Sequence, residues 1–179
     1  METKPSLFKS VLPYGALTAI ILMLYTAILI NLQIQSGPLQ WLAYLITAAA
    51  LYYGVMKYRD TVLKGFISYG NAFKSSIVML LIIAMMMGLF FLIYTSFDHS
   101  FVQQILDKAR KGMEEKGNMT DEQIEMGMKM TKLFTTAPLM GLFTFIGYMF
   151  FGCLISLITS AIVKKDNPNP FAEFENTNA

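Results

Sequence analysis

SVLPYGALTAIILMLYTAILINLQIQSGPLQWLAYLITAAALYYGVM, residues 10–56, holds no Asp, Glu, Lys, Arg or His. A membrane-crossing helix needs roughly 20 mostly apolar residues to span a hydrocarbon layer of about 30 Å. One crossing cannot use up about 47 such residues. The break is written at residues 31–38, where Asn31, Gln33, Gln35 and Ser36 lead into Gly37-Pro38, a turn signal. Two helices result, at about 11–32 and 39–56. Pro13 then falls in the first turn of the first helix, where its missing N–H costs little. Trp41 and Tyr44 at one end of the second helix, and Tyr52, Tyr53 and Tyr58 at the other, suit the aromatic belts of two membrane surfaces.

Two further charge-free runs occupy residues 75–97 and 133–163. The first is about 35 Å long at 1.5 Å per residue. The second holds a crossing at about 138–163, from Pro138 to the residue before Lys164. The expected fold is therefore all-α: an integral membrane four-helix bundle forming a single domain over residues 1–179. A chain that is 55% hydrophobic and only 15% charged agrees with it. Lys4 and Lys9 ahead of an apolar stretch resemble the start of a secretory signal. The stretch is longer than a signal core and lacks a small-x-small cleavage site, so it reads as a retained first helix.

Residues 57–74 connect the second and third crossings and carry Lys57, Arg59, Lys64 and Lys74 against one acid, Asp60. Phe66, Tyr69 and Phe73 recur there at helical spacing. The segment is expected to rest in the interface, rings inward and lysines outward, with Ser68 as an N-cap.

The one sizeable polar segment is 98–132. Phe101, Val102, Ile105, Leu106, Ala109 and Met113 follow a helical period, which predicts an amphipathic helix ending near Gly117-Asn118. Thr120-Asp121-Glu122-Gln123 then reads as a capping box, in which the Thr120 hydroxyl accepts from the Gln123 amide and the Gln123 side chain reaches back. Met119 and Ile124 flank it as a hydrophobic staple. The two helices make a hairpin over about 99–132, standing outside the bilayer or resting on it.

Orientation follows from the basic residues. Lys4, Lys9, Lys57, Arg59, Lys64, Lys74, Lys164 and Lys165 gather on one side of a four-crossing arrangement, and the first loop has none. The positive-inside rule makes that side cytoplasmic, with both termini inside and the hairpin periplasmic. The hairpin has Lys108, Arg110, Lys111, Lys116, Lys129 and Lys132, but its acids slightly outnumber them. The cytoplasmic tail is residues 164–179, and from Asp166 onward it is polar and proline-punctuated and is expected to be disordered.

Thr144, Tyr148, Gly152, Ser156 and Ser160 fall four apart and share one helix face. Small residues let helix backbones approach closely, which is how membrane helices associate without a hydrophobic drive between them. Internal packing is the first reading of this face, and self-association the second. Ala50 with Gly54 and Ala84 with Gly88 repeat the pattern in shorter form.

Chemistry is sparse. The four apolar cores contain no ionisable Asp, Glu, Lys, Arg or His, the groups that mark intramembrane ion pathways. No HExxH, P-loop or nucleophile-elbow motif occurs, and one histidine with one cysteine, Cys153, cannot make a multi-ligand metal centre or an intramolecular disulfide. His99 beside Asp98 raises a pair that titrates near neutral pH, but the favoured reading is a solvated interfacial histidine. The methionines at 79, 85, 86, 87, 113, 119, 126, 128 and 130 raise copper(I) binding, but their spacing is that of adaptable packing. Near-balanced charge, +2 overall and scattered, argues against nucleic acid. No cofactor, metal or catalytic residue is assigned.

The stretch Gly65-Phe66-Ile67-Ser68-Tyr69-Gly70-Asn71-Ala72-Phe73, the signature Met119-Thr120-Asp121-Glu122-Gln123-Ile124-Glu125, and the ending from Gly152 to Ile158 with Ala161-Ile162-Val163-Lys164-Lys165 resemble the bacterial domain of unknown function 4199. Its members are small four-helix membrane proteins found mainly in Bacteroidetes. The resemblance spans nearly the whole chain, implies residence in a bacterial inner membrane and brings no activity. The reading that follows is a non-enzymatic structural or interaction protein. Its partners are the lipid bilayer and a second copy, or a membrane or periplasmic protein. The alternative is a component of a small-molecule, ion or lipid transport assembly.

Overall fold

The computed structural model describes residues 6–34, 37–115, 117 and 119–168. Among the described residues six helices follow one another: α1 (Leu7–Asn31), α2 (Pro38–Val62), α3 (Tyr69–Phe97), α4 (His99–Glu114), α5 (Asp121–Phe134) and α6 (Ala137–Val163). The fold is all-α, and α1, α2, α3 and α6 are each long and apolar enough to cross a membrane. They are apolar around most of their circumference, as spanning helices are, whereas α4 and α5 keep a charged side.

Four boundaries depart from the expected ones, each for a local reason. Helix α1 begins a turn before residue 11, because the Ser6 hydroxyl accepts from Lys9 N at 3.4 Å and caps it there. Pro13 is consequently inside the helix and not in its first turn. It cannot donate to the Lys9 carbonyl, so that turn lacks one ladder bond. Helix α2 continues past residue 56 through Lys57, Tyr58, Arg59 and Asp60 to Val62. Charge ends burial in a bilayer without ending a helix. Helix α3 starts at Tyr69, capped by Ser68, whose hydroxyl accepts from Asn71 N. The expected interfacial segment is thus divided between a short turn and the first two turns of α3, where Tyr69 and Phe73 stack at 6.5 Å. Helix α4 ends at Glu114, before Gly117; Lys116, Asn118, Gln35 and Ser36 lie outside the described residues.

Helix α3 is the axis of the bundle, packing against α1, α2 and most extensively α6. Its Met79, Leu80, Ile83 and Met87 are fully buried, together with Val11 and Leu22 of α1 and Leu51 of α2. The α3–α6 seam is set by glycines. A Cβ added to Gly141 would stand 2.8 Å from the Gly88 carbonyl oxygen, and one added to Gly88 would stand 3.0 Å from that of Gly141. Further along, a Cβ on Gly152 would meet the Leu80 side chain, and Ser76 Oγ and Ser160 Oγ lie 3.4 Å apart, either being the donor.

At the end of the bundle where α6 finishes, Lys165 and Ile67 exchange both backbone hydrogen bonds at 2.9 Å, forming an isolated antiparallel bridge. Arg59 donates to the Val163 carbonyl at 3.0 Å and pairs with Asp60 at 2.7 Å. The turn between α2 and α3 allows this through positive φ at Lys64 and Gly65. Lys165 is thus held against the α2–α3 turn just ahead of the tail segment; residues 169–179 lie outside the described residues.

The seam predicts a ranking of alanine substitutions. Gly141→Ala drives a methyl into backbone oxygen, which moves only if the helix moves, and should cost about 1–3 kcal/mol. Gly152→Ala meets the end of a flexible leucine and should cost less. Gly147→Ala enters open space and should fall within about 0.5 kcal/mol of the parent. Reversible unfolding in detergent measures the order, and equal losses at all three would contradict this seam.

Candidate functional site

Besides the Arg59–Asp60–Lys165 cluster at the α2–α3 turn, two features outside the seam carry polar chemistry: a cavity between the spanning helices, and the α4–α5 pair.

The cavity, about 400 Å³, is an open groove to which all four spanning helices contribute lining residues. Thr26 of α1, Gln40 and Tyr44 of α2, Phe91 of α3, and Phe143, Thr144 and Tyr148 of α6 line it. The turn through Gly37 sets α1 and α2 side by side, and Tyr25 at the far end of α1 donates to the Leu39 carbonyl. Tyr44 is further held by Trp41, ring centroids 5.8 Å apart, and by Phe151 at 5.3 Å. Every lining group is uncharged.

The five residues of the α6 face separate by function. Thr144 and Tyr148 line the cavity, whereas Gly152, Ser156 and Ser160 are buried. Among these, Gly152 meets Leu80 and Ser160 meets Ser76. Ser156 Oγ is the one fully buried side-chain polar atom among the described residues without a hydrogen-bond partner. Within α2 and α3, Gly54 lies against Met79 and Tyr14, Ala84 is buried, and Gly88 faces Gly141. Thr26, Gln40 and Tyr44 of the cavity are not part of any one-helix pattern, since a stripe read along α6 cannot report what other helices bring to it.

Helix α4 follows α3 with only Asp98 between them. The Asp98 carboxylate accepts from the Ser100 hydroxyl, from Tyr94 Oη at 2.8 Å, and from the backbone amides of Ser100 and Phe101 at 3.0 and 3.4 Å. It is thus occupied by Ser100, Tyr94 and Phe101 and not by His99. These donors, the Ser100 hydroxyl foremost and then that of Tyr94, hold the Asp98 carboxyl below its usual range. Phe101 folds back on Tyr94 and Phe91, at 5.8 and 6.3 Å, anchoring α4 to the end of α3.

Helix α5 opens on a reciprocal cap. Thr120 Oγ1 accepts from Gln123 N at 3.4 Å, and Gln123 Oε1 accepts from Thr120 N at 2.9 Å. Ile124 and Met128 are buried, and a Cβ on Gly127 would meet Met113 of α4, so these two helices touch through that side. Met126, Met130 and Leu133 lie on another side of α5 and are exposed. Phe134 meets Phe143 of α6, ring centroids 5.5 Å apart.

Among the described residues no three His, Cys, Asp or Glu side chains gather closely enough to hold a metal ion. Cys153 is a free, half-buried thiol.

An all-α chain with four membrane-length helices, an uncharged cavity between them and two amphipathic helices inserted before the last defines the class. The chain belongs to the family described as protein of unknown function DUF4199, whose model matches residues 13–165. No curated protein and no solved structure matches it.

The Asp98 cap has a signed pH dependence. A carboxyl whose folded value is depressed contributes its full stabilisation above the unfolded value, about 3.9, and loses it as pH falls toward the lower folded value. The Phe101 amide resonance, followed in detergent micelles, should titrate with a midpoint below about 3.9, and Asp98→Asn should abolish the transition. A midpoint at or above the free-aspartate value would contradict the cap.

Proposed function

We propose that this chain is a non-enzymatic, four-span protein of the bacterial cytoplasmic membrane, and that it presents the α4–α5 hairpin in the periplasm for contact with another protein. The positive-inside argument supports the topology: Lys57, Arg59, Lys64, Lys74, Lys164 and Lys165 share one end of the bundle with the start of α1 and the end of α6. The observation that carries the interaction role is the second apolar side of α5. Met126 is 71% exposed and Met130 51%, beside Glu122, Glu125 and Lys129 on the neighbouring sector of the helix. Methionine-rich surfaces adapt to partners of varied shape, and flanking charge fixes their register. The α3–α6 face is occupied within the bundle, and the exposed methionine side of α5 is the surface for a second copy or a periplasmic protein.

Two measurements test the proposal together. A reporter enzyme that is active only outside the cytoplasm, inserted after Gly117, should be active. A photocrosslinking residue in place of Met126 or Met130 should give one discrete protein adduct in intact cells, and the same residue in place of Gln103 should not. An inactive reporter would overturn the topology, and adducts to lipid alone would overturn the role of α5.

A further inference from the structure

Most threonines of the spanning helices satisfy their own hydroxyls. Thr18 donates to the Tyr14 carbonyl, Thr47 to Ala43, Thr95 to Phe91 and Thr159 to Ile155, at 2.6 to 3.1 Å. Thr26 in α1 and Thr144 in α6 do not, and neither does the hydroxyl of Tyr44 or Tyr148 find a partner among the described residues. All four line the same cavity. An unpaired hydroxyl at membrane depth costs free energy that an i−4 carbonyl relieves elsewhere in the same helices. Four such groups from three helices around one space of about 400 Å³ make a site lacking its hydrogen-bond partner.

We propose that this cavity binds an uncharged amphiphile, an apolar chain ending in hydroxyl or ester oxygens, with those oxygens among Thr26, Tyr44, Thr144 and Tyr148. The absence of charge in the lining selects the head: a phosphate or carboxylate there would be desolvated without a counter-charge. Hydroxyls both donate and accept, so they suit alcohol and ester oxygens alike. Depth agrees. At 1.5 Å per residue the four groups lie roughly 8 to 16 Å in from the nearer ends of their helices. Phe91 and Phe143 supply the apolar wall along which the chain leaves toward the bilayer. The site is independent of the α5 surface and stands or falls separately from it.

The test uses the full-length chain reconstituted in bilayers, with a diazirine-bearing monoacylglycerol as the photoprobe and the corresponding phosphate-headed lipid as its charged counterpart. The uncharged probe should label residues 137–149, and the combined variant Thr26→Val, Tyr44→Phe, Thr144→Val, Tyr148→Phe should reduce that labelling at least fivefold. Far-UV circular dichroism checks that the combined variant folds, and Thr144→Val alone, expected to lower labelling about twofold, serves if it does not. Competition by unlabelled monoacylglycerol but not by free glycerol supports an amphiphile, whose source is read by mass spectrometry of lipids extracted from the purified protein. A neutral membrane lipid recovered there assigns the bilayer as source, and its absence with saturable labelling assigns a molecule delivered from outside. Equal labelling by both probes, labelling unchanged in the variants, or competition by glycerol would overturn the proposal.

Discussion

The architecture depends on the close approach of α3 and α6. Lipid tails are as apolar as leucine, so two membrane helices gain nothing by hiding apolar surface from each other and must associate through contact and hydrogen bonding. The Gly88–Gly141 meeting brings backbone to backbone, Gly152 receives Leu80, and the Ser76–Ser160 pair adds a polar contact in a dry setting. Everything else is positioned by this line. It rotates α6 so that Thr144 and Tyr148 reach the space left between the four helices, and it delivers the end of α6 to Ile67 and Arg59.

Parts of this were legible from residue patterns. Charge-free runs locate the four long helices because the bilayer constrains length and polarity together, and Thr120 with Gln123 marks the start of α5 by a local hydrogen-bond rule. The misplaced ends have one physical source. Residue charge reports the edge of the hydrocarbon layer, but helices end where caps and turns allow, hence α2 through Val62 and α1 from Leu7 behind its Ser6 cap. The Ile67–Lys165 bridge was not legible: a single pair far apart in sequence has no periodicity. The cavity was not legible: Thr144 and Tyr148 read as part of a packing face, and Thr26, Gln40 and Tyr44 come from other helices.

The division of polar chemistry in the molecule follows. Uncharged hydroxyls and one amide are held between the spanning helices, and ionisable groups are confined to the α4–α5 pair and to the opposite end, where Arg59, Asp60 and Lys165 tie α2, the α2–α3 turn and α6 together. Helix α4 is tied to α3 through Asp98 and Phe101, and α5 runs almost directly into α6. Both helices of the pair therefore adjoin a partner of the seam, α4 beside α3 and α5 beside α6.

The most direct test of the central claim is disulfide formation across the seam. In a chain with Cys153→Ala, the double substitution Ser76→Cys and Ser160→Cys places thiols where hydroxyl oxygens now stand 3.4 Å apart. Mild oxidation in native membranes should produce an intrachain disulfide, read as a reducible mobility shift of the monomer. A disulfide-linked dimer, or no oxidation at all, would show that α3 and α6 of one chain do not meet along this face.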